Sequence, residues 1–210
     1  MRALARDFYD RPTVTVAREL LGCRLVHEGP EGRTAGRIVE VEAYEGEDDP
    51  ACHAAAGLTT RTEPLYGPPG MAYVYRIYGM YFCLNAVTRG AGAPSAVLIR
   101  AVEPVEGLDL MRRRRAARRG TPVPDVRLAD GPGKLCDAMG ISLVHNRLDL
   151  TGPPVWIEPG ARPRRIAWTP RVGISVGEDR LWRALVADSP GVSRSKQNRA
   201  TAPRPRPAPA

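Results

Sequence analysis

The chain has 210 residues, 43% of them hydrophobic, and a formal net charge of +8, which fits one domain with a substantial core. No apolar run approaches the roughly 20 residues of a membrane-spanning helix, and Arg2, Arg6 and Asp7 put charges where an export signal needs its apolar stretch, so a cytoplasmic location (nucleoid-associated in a bacterium) is expected. The positive charge is carried by arginine, with Lys134 and Lys196 the only lysines; planar bidentate donors suit a phosphate-bearing partner, although an arginine-rich proteome explains the composition equally well.

Residues 14–22 predict a short helix ended by Gly22, residues 23–26 a strand, 28–32 a turn and 34–44 a longer strand. Loop chemistry dominates residues 46–70, with acids at Glu47, Asp48 and Asp49 and prolines at Pro64, Pro68 and Pro69. Two β-like runs, residues 72–78 and 81–88, meet at Gly79-Met80 and predict a hairpin. Residues 95–102 predict a further strand, 107–119 and 132–139 helices, and 155–157 and 172–176 late strands. Strands that follow one another through short turns point to an antiparallel sheet with helices packed around it. The organisation expected is one domain over residues 1–195 and a disordered tail rich in Pro, Arg and Ala over 196–210. The four cysteines form no C-x-x-C pair and are expected as free, mostly buried thiols.

Six of the seven tyrosines, Tyr44, Tyr66, Tyr73, Tyr75, Tyr78 and Tyr81, cluster just behind two acids, Glu40 and Glu42. Period-two alternation puts Ile38, Glu40, Glu42 and Tyr44 on one face of their strand and Val39, Val41 and Ala43 on the other, apolar face. The acids then either face a groove beside a phenol or are plain solvent-facing residues of an edge strand. Tyr78 sits at the bend of the hairpin, a poor place for a core residue and a good one for a wedge between base pairs. Tyr73 and Tyr81 read as packing residues, since tyrosine favours strands, and Tyr66 has no assigned role.

The ordered set Ile38-Val-Glu-Val-Glu-Ala-Tyr44, His53, Tyr73-Val-Tyr-Arg-Ile-Tyr-Gly-Met-Tyr-Phe-Cys-Leu-Asn85, Val97-Leu-Ile-Arg-Ala-Val-Glu-Pro104 and Gly131-Pro-Gly-Lys-Leu-Cys136 closely resembles the alkyladenine (3-methyladenine) DNA glycosylase family. The similarity runs from about residue 6 to 195. It implies a single compact α+β domain, a mostly antiparallel curved sheet surrounded by helices with a protruding β-hairpin. It also implies a monomer that flips a damaged purine from double-stranded DNA and hydrolyses its N-glycosidic bond. Candidate bases are 3-methyladenine, 7-methylguanine, hypoxanthine and ethenoadenine. By the same resemblance Glu42 is the general base for the attacking water and Arg100 helps hold that water. Tyr44, His53 and Tyr75 grip the flipped base, Tyr78 fills the vacated stack, and Asn85 rejects guanine through its exocyclic amine. An N-alkylated purine already carries positive charge and leaves as a neutral base, so one carboxylate suffices to activate water and steady the oxocarbenium-like sugar.

Lys134 lies in Gly-Pro-Gly-Lys-Leu, which lacks the pattern of a phosphate-binding P-loop. It reads as a phosphate or structural contact at a helix start, or, in a bifunctional glycosylase/lyase, as a Schiff-base nucleophile. Arg112 and Arg113 belong to an arginine run that is either a solvated helix face or a set of DNA-backbone contacts. Neither H-E-x-x-H nor H-x-E is present, and no metal and no other cofactor is expected. A competing reading is a non-catalytic nucleic-acid-binding module that keeps the aromatic surfaces and basic charge.

Overall fold

The long strand anticipated near residues 34–44 organises the fold. In the computed structural model, which describes residues 3–199, it is β2, Gly32–Glu45, and β5, Ser95–Glu106, runs antiparallel along one edge of it. The other edge is shared: β1, Arg24–Gly29, pairs with its first half and β8, Arg183–Val186, with Glu40, Val41 and Glu42. Register shifts on either side of Glu40 mark a bulge where the neighbour changes, and an extra residue there bends and twists the strand. The sheet continues through the hairpin of β3, Ala72–Ile77, and β4, Tyr81–Val87, which lies on the far side of β5, and through β6, Val155–Glu158, outside β1; β7, Ile166–Thr169, flanks β8. Every pairing is antiparallel.

The bulge corrects the expected faces of β2. Ile38 joins Val41 and Ala43 in the main core, whereas Val39 lies near the position a side chain at Gly191 would occupy. The extra residue moves Ile38 off the acid face and leaves Glu40, Glu42 and Tyr44 in phase. Neither acid faces solvent; both are fully buried.

Helices close the sheet. α1, Arg6–Tyr9, and α2, Thr13–Leu20, set Tyr9, Val16, Ala17 and Leu20 into the core. α3, Leu108–Arg119, and α4, Pro132–Met139, pack on the face from which Met111, Leu135, Cys136 and Met139 enter it. α4 has the ends its sequence dictates, with Pro132 at the first turn and Gly140 at φ 73° past the last. All four cysteines are free and buried.

One further expectation changes. Residues 172–176, read as a strand from their Val and Ile content, form an irregular loop between β7 and β8. Gly173 and Gly177 adopt positive φ there, and the Val172 amide bonds to Glu42 rather than to a neighbouring strand. The tail begins with a 3-10 turn, Lys196–Arg199, where Asn198 accepts a hydrogen bond from Arg183 Nη2 at 2.7 Å; residues 200–210, where the rest of that expectation falls, lie outside the described residues.

Candidate active site

Alternation after the bulge sends Glu40 and Glu42 to the same side of β2, and Arg100 of β5 lies against both. Arg100 donates from Nε to Glu40 at 2.7 Å and from Nη1 to Glu42 Oε2 at 3.2 Å. Glu42 Oε2 also accepts from the Tyr44 hydroxyl at 2.9 Å, and Oε1 accepts the Val172 N–H at 2.7 Å. These donors match a carboxylate at both oxygens. Burial works against the charge on Arg100, but Glu42 and Glu40 outweigh it and push the guanidinium up. Burial, then the Glu42 charge, raise Tyr44 well above the ordinary phenol range, so Tyr44 keeps its proton and donates it to the acid.

A cavity of about 390 Å³ opens above this floor, within the roughly 300–1,000 Å³ range of small-molecule pockets. Tyr44, Arg100 and Val172 line it, and Glu42 lies one layer behind them, bonded to all three. The walls are Tyr73 and Tyr75 of β3 and His53, which begins a 3-10 turn. The His53 ring meets Tyr75 edge-on, with centroids 4.6 Å apart. Burial, then the charge of Arg61, push His53 down to about 4, so the imidazole is neutral near pH 7. Arg61 Nη2 lies 3.3 Å from Nε2 and can only donate; Nε2 therefore accepts, and Nδ1–H donates to the Tyr73 hydroxyl at 2.9 Å. Asn85, on β4, anchors its amide by donating to the Tyr73 carbonyl at 2.9 Å. Of the residues expected to hold and cleave, Arg100, Tyr44, His53 and Tyr75 thus line one cavity together with Asn85, with Glu42 bonded behind it. Among the described residues no three His, Cys, Asp or Glu side chains form a metal-binding group.

Comparison with known proteins matches the chain to a family. The model of the methylpurine-DNA glycosylase family matches residues 7–190. The chain belongs to that family. A protein of Methanocella arvoryzae that carries the provisional name 3-methyladenine DNA glycosylase is 50% identical over 198 residues, spanning 92% of this chain and 97% of its own length. Proteins with the same provisional name from Myxococcus xanthus and Clostridium acetobutylicum are 48% and 46% identical, spanning 92% and 93% of this chain and 95% and 99% of their own lengths.

The hairpin of this methylpurine-DNA glycosylase family member turns through Tyr78 at φ 52° and Gly79 at φ 70°, with Met80 N–H donating to the Ile77 carbonyl. Two successive positive φ angles turn the chain tightly between strands that pair at Ile77 and Tyr81. The turn holds Tyr78 at the pocket mouth with 81% of its surface exposed, in a conformation that is uncommon for a large residue. Lys134 does not line the cavity; its ammonium donates to Asp130 at 2.8 Å. Arg112 is held by Asp125 and Asp109. Arg113 is exposed. Of their neighbours in the run, Arg115 is buried against Asp137 and Arg114 reaches Glu31, so the run is not simply a solvated face.

Several residues around the site carried no readable signal. Tyr73 packs as expected, but its hydroxyl also accepts the His53 Nδ1–H that the Arg61 contact leaves on that nitrogen. Arg171 and Asp49 are both fully buried and paired, with Arg171 Nη2 donating to Asp49 at 2.7 Å. The Arg171 guanidinium lies 4.6 Å from the Tyr44 ring centroid and backs it. Glu40, left without a role by its sequence, accepts from Arg100, Arg183 and both the amide and hydroxyl of Ser193. Tyr66 donates to Glu47 at 2.6 Å. Arg61 lines the cavity, and only its position in the folded chain reveals it.

Proposed function

We propose that the protein is a monofunctional DNA glycosylase that flips alkylated or deaminated purines from duplex DNA and hydrolyses the N-glycosidic bond with water activated by Glu42. The observation that supports this reading most strongly is the Glu42 carboxylate set behind an aromatic pocket, with Arg100, Tyr44 and the Val172 amide bonded to it. A plain binding surface has no need of a buried acid, and burying one without such donors is costly.

In the proposed reaction the base lies against Tyr44, Tyr75 and His53. A cationic N-alkylpurine gains roughly 0.5–2 kcal/mol from each ring face it meets, and a neutral base does not. Lesions that stack or pair poorly also cost less to flip. The bond from the sugar C1′ to the base nitrogen breaks with its electron pair leaving on the base, which neutralises an alkylated purine; an uncharged base such as hypoxanthine leaves as its anion and takes a proton from water. Water adds to C1′ as Glu42 takes its proton, and the same carboxylate offsets the charge on the sugar. Water reaches Glu42 between Tyr44, Arg100 and Val172, so movement of the Tyr44 hydroxyl or of the loop around Val172 accompanies catalysis. Tyr78 fills the space the nucleotide leaves. The cavity is lined by no lysine, and water rather than an amine is therefore the proposed nucleophile.

The test is incubation with methylated duplex DNA and with duplexes carrying one hypoxanthine or 1,N6-ethenoadenine. Free base and alkali-labile abasic sites are expected, without strand breaks before alkali and without borohydride trapping. Tight binding with no base release would instead favour the binding module.

A further inference from the structure

Arg61 brings a positive charge into an aromatic cavity, and among the described residues no carboxylate pairs with it. Its guanidinium carbon lies 5.6 Å from the Tyr75 ring centroid, and its Nη2 caps His53 Nε2 at 3.3 Å. The backbone beneath it is fastened. Thr62, 3% exposed, accepts the Thr59 N–H at 2.8 Å and donates to the Gly57 carbonyl at 2.8 Å, and Gly57 takes a φ of 75° that few other residues tolerate. This small closed loop presents one long, exposed side chain on a firm base.

We propose that Arg61 is a cationic plug: its guanidinium stands in the base pocket of the free protein and is exchanged, when a nucleotide flips in, for a contact with a DNA phosphate. The inference rests on the glycosylase reading above, because it places Arg61 on the ring face and the acceptor nitrogen assigned there to the base. A planar guanidinium imitates a cationic purine edge in both contacts. Any entering base must displace it. A nucleotide within DNA brings phosphates to the rim, where an arginine with five donors and no acid partner has a new place to bind. A free base brings none. The plug therefore weakens the pocket for released base while leaving lesion-containing DNA little affected, and so aids product release.

The test compares the wild-type protein with Arg61→Ala and Arg61→Gln. Direct titration with free 3-methyladenine is expected to show tighter binding to Arg61→Ala by about five- to twenty-fold, the combined effect of one exposed cation–π contact and one hydrogen bond. Arg61→Gln, which keeps a donor but no charge, should fall between. Binding of a hypoxanthine duplex should be no tighter in Arg61→Ala, and the slope of log K against log salt should fall by about one. Equal free-base affinity in all three proteins overturns the plug. Equal tightening for free base and duplex, or an unchanged salt slope, overturns the exchange with phosphate. Base release by the wild type, assayed alongside, separates the two claims. Tightened free-base binding without any base release defeats the glycosylase reading alone, and normal release with unchanged free-base binding defeats the plug alone.

Discussion

Replacing Glu40 with glutamine probes the buried network beneath the pocket. Glu40 accepts Arg100 Nε and Arg183 Nε at 2.7 Å each, and the Ser193 amide and hydroxyl at 2.7 and 2.8 Å. Glutamine keeps the shape but removes the charge, and its NH2 group then faces donors. Arg100 retains Glu42, whereas among the described residues Arg183 retains only the neutral oxygens of Thr169 and Asn198. Leaving a buried charge unpaired costs about 3–5 kcal/mol, a fall of roughly 6–20 °C in Tm for a domain of this size. Burial by itself would raise the Glu40 carboxyl, but Arg100 and Arg183, with the hydrogen bonds from Arg183 and the Ser193 amide, outweigh it and hold the group below the usual range. An acid depressed in the folded state adds stability above its unfolded value and loses it as pH falls through the folded one. The difference between wild type and Glu40→Gln is therefore widest above about pH 5 and narrows as the medium is acidified below about pH 4. Urea unfolding at pH 7 and pH 3.5 measures both quantities. A loss under about 1 kcal/mol at pH 7, or a difference that does not shrink with acid, would refute the reasoning.

Other parts of the site make their own demands. Tyr78→Ala should leave stability within about 0.5 kcal/mol, because the side chain is exposed, yet it should lower excision from duplex DNA more than from a single-stranded lesion oligonucleotide; equal losses on both substrates would contradict the wedge. Asp49→Asn leaves Arg171 buried without its charge partner and should cost about 3–5 kcal/mol in urea unfolding, with weakened base binding because Arg171 backs Tyr44. His53 should titrate near 4 when followed by NMR. Since the folded protein binds fewer protons at that ring than the unfolded chain between about pH 6.5 and 4, its contribution to stability is complete above that window and declines as pH falls through it; a titration midpoint near 6.5 would contradict the buried, Arg61-capped ring. Lys134→Ala should leave base release unchanged within about twofold, measured with excess duplex.

Local rules made much of the fold legible. The hairpin announced itself through two β-like, tyrosine-bearing runs around Gly79, and α4 appeared within its expected span of residues 132–139. The phase of Glu40, Glu42 and Tyr44 followed from alternation alone. The bulge at Val39 did not, because it exists where β2 exchanges β1 for β8 as its neighbour, and β8 is a four-residue strand whose Arg183 reads as a surface residue. Residues 172–176 misled for the opposite reason: their Val and Ile content favours strands, but the Val172 amide serves Glu42. The pairs Arg171–Asp49 and Arg183–Glu40 are separated by 122 and 143 positions, and no periodicity in either segment points to the other. Arg61 is invisible for a related reason, since its loop gives no clue that it reaches Tyr75.

The central claim, that Glu42 activates water at the base of this pocket, is tested most directly by single-turnover base release from a hypoxanthine-containing duplex with wild type and Glu42→Gln at equal, saturating protein. The account predicts prompt release by the wild type, and a rate at least about 100-fold lower in the variant with duplex binding retained. Equal rates of release by the two proteins would contradict it.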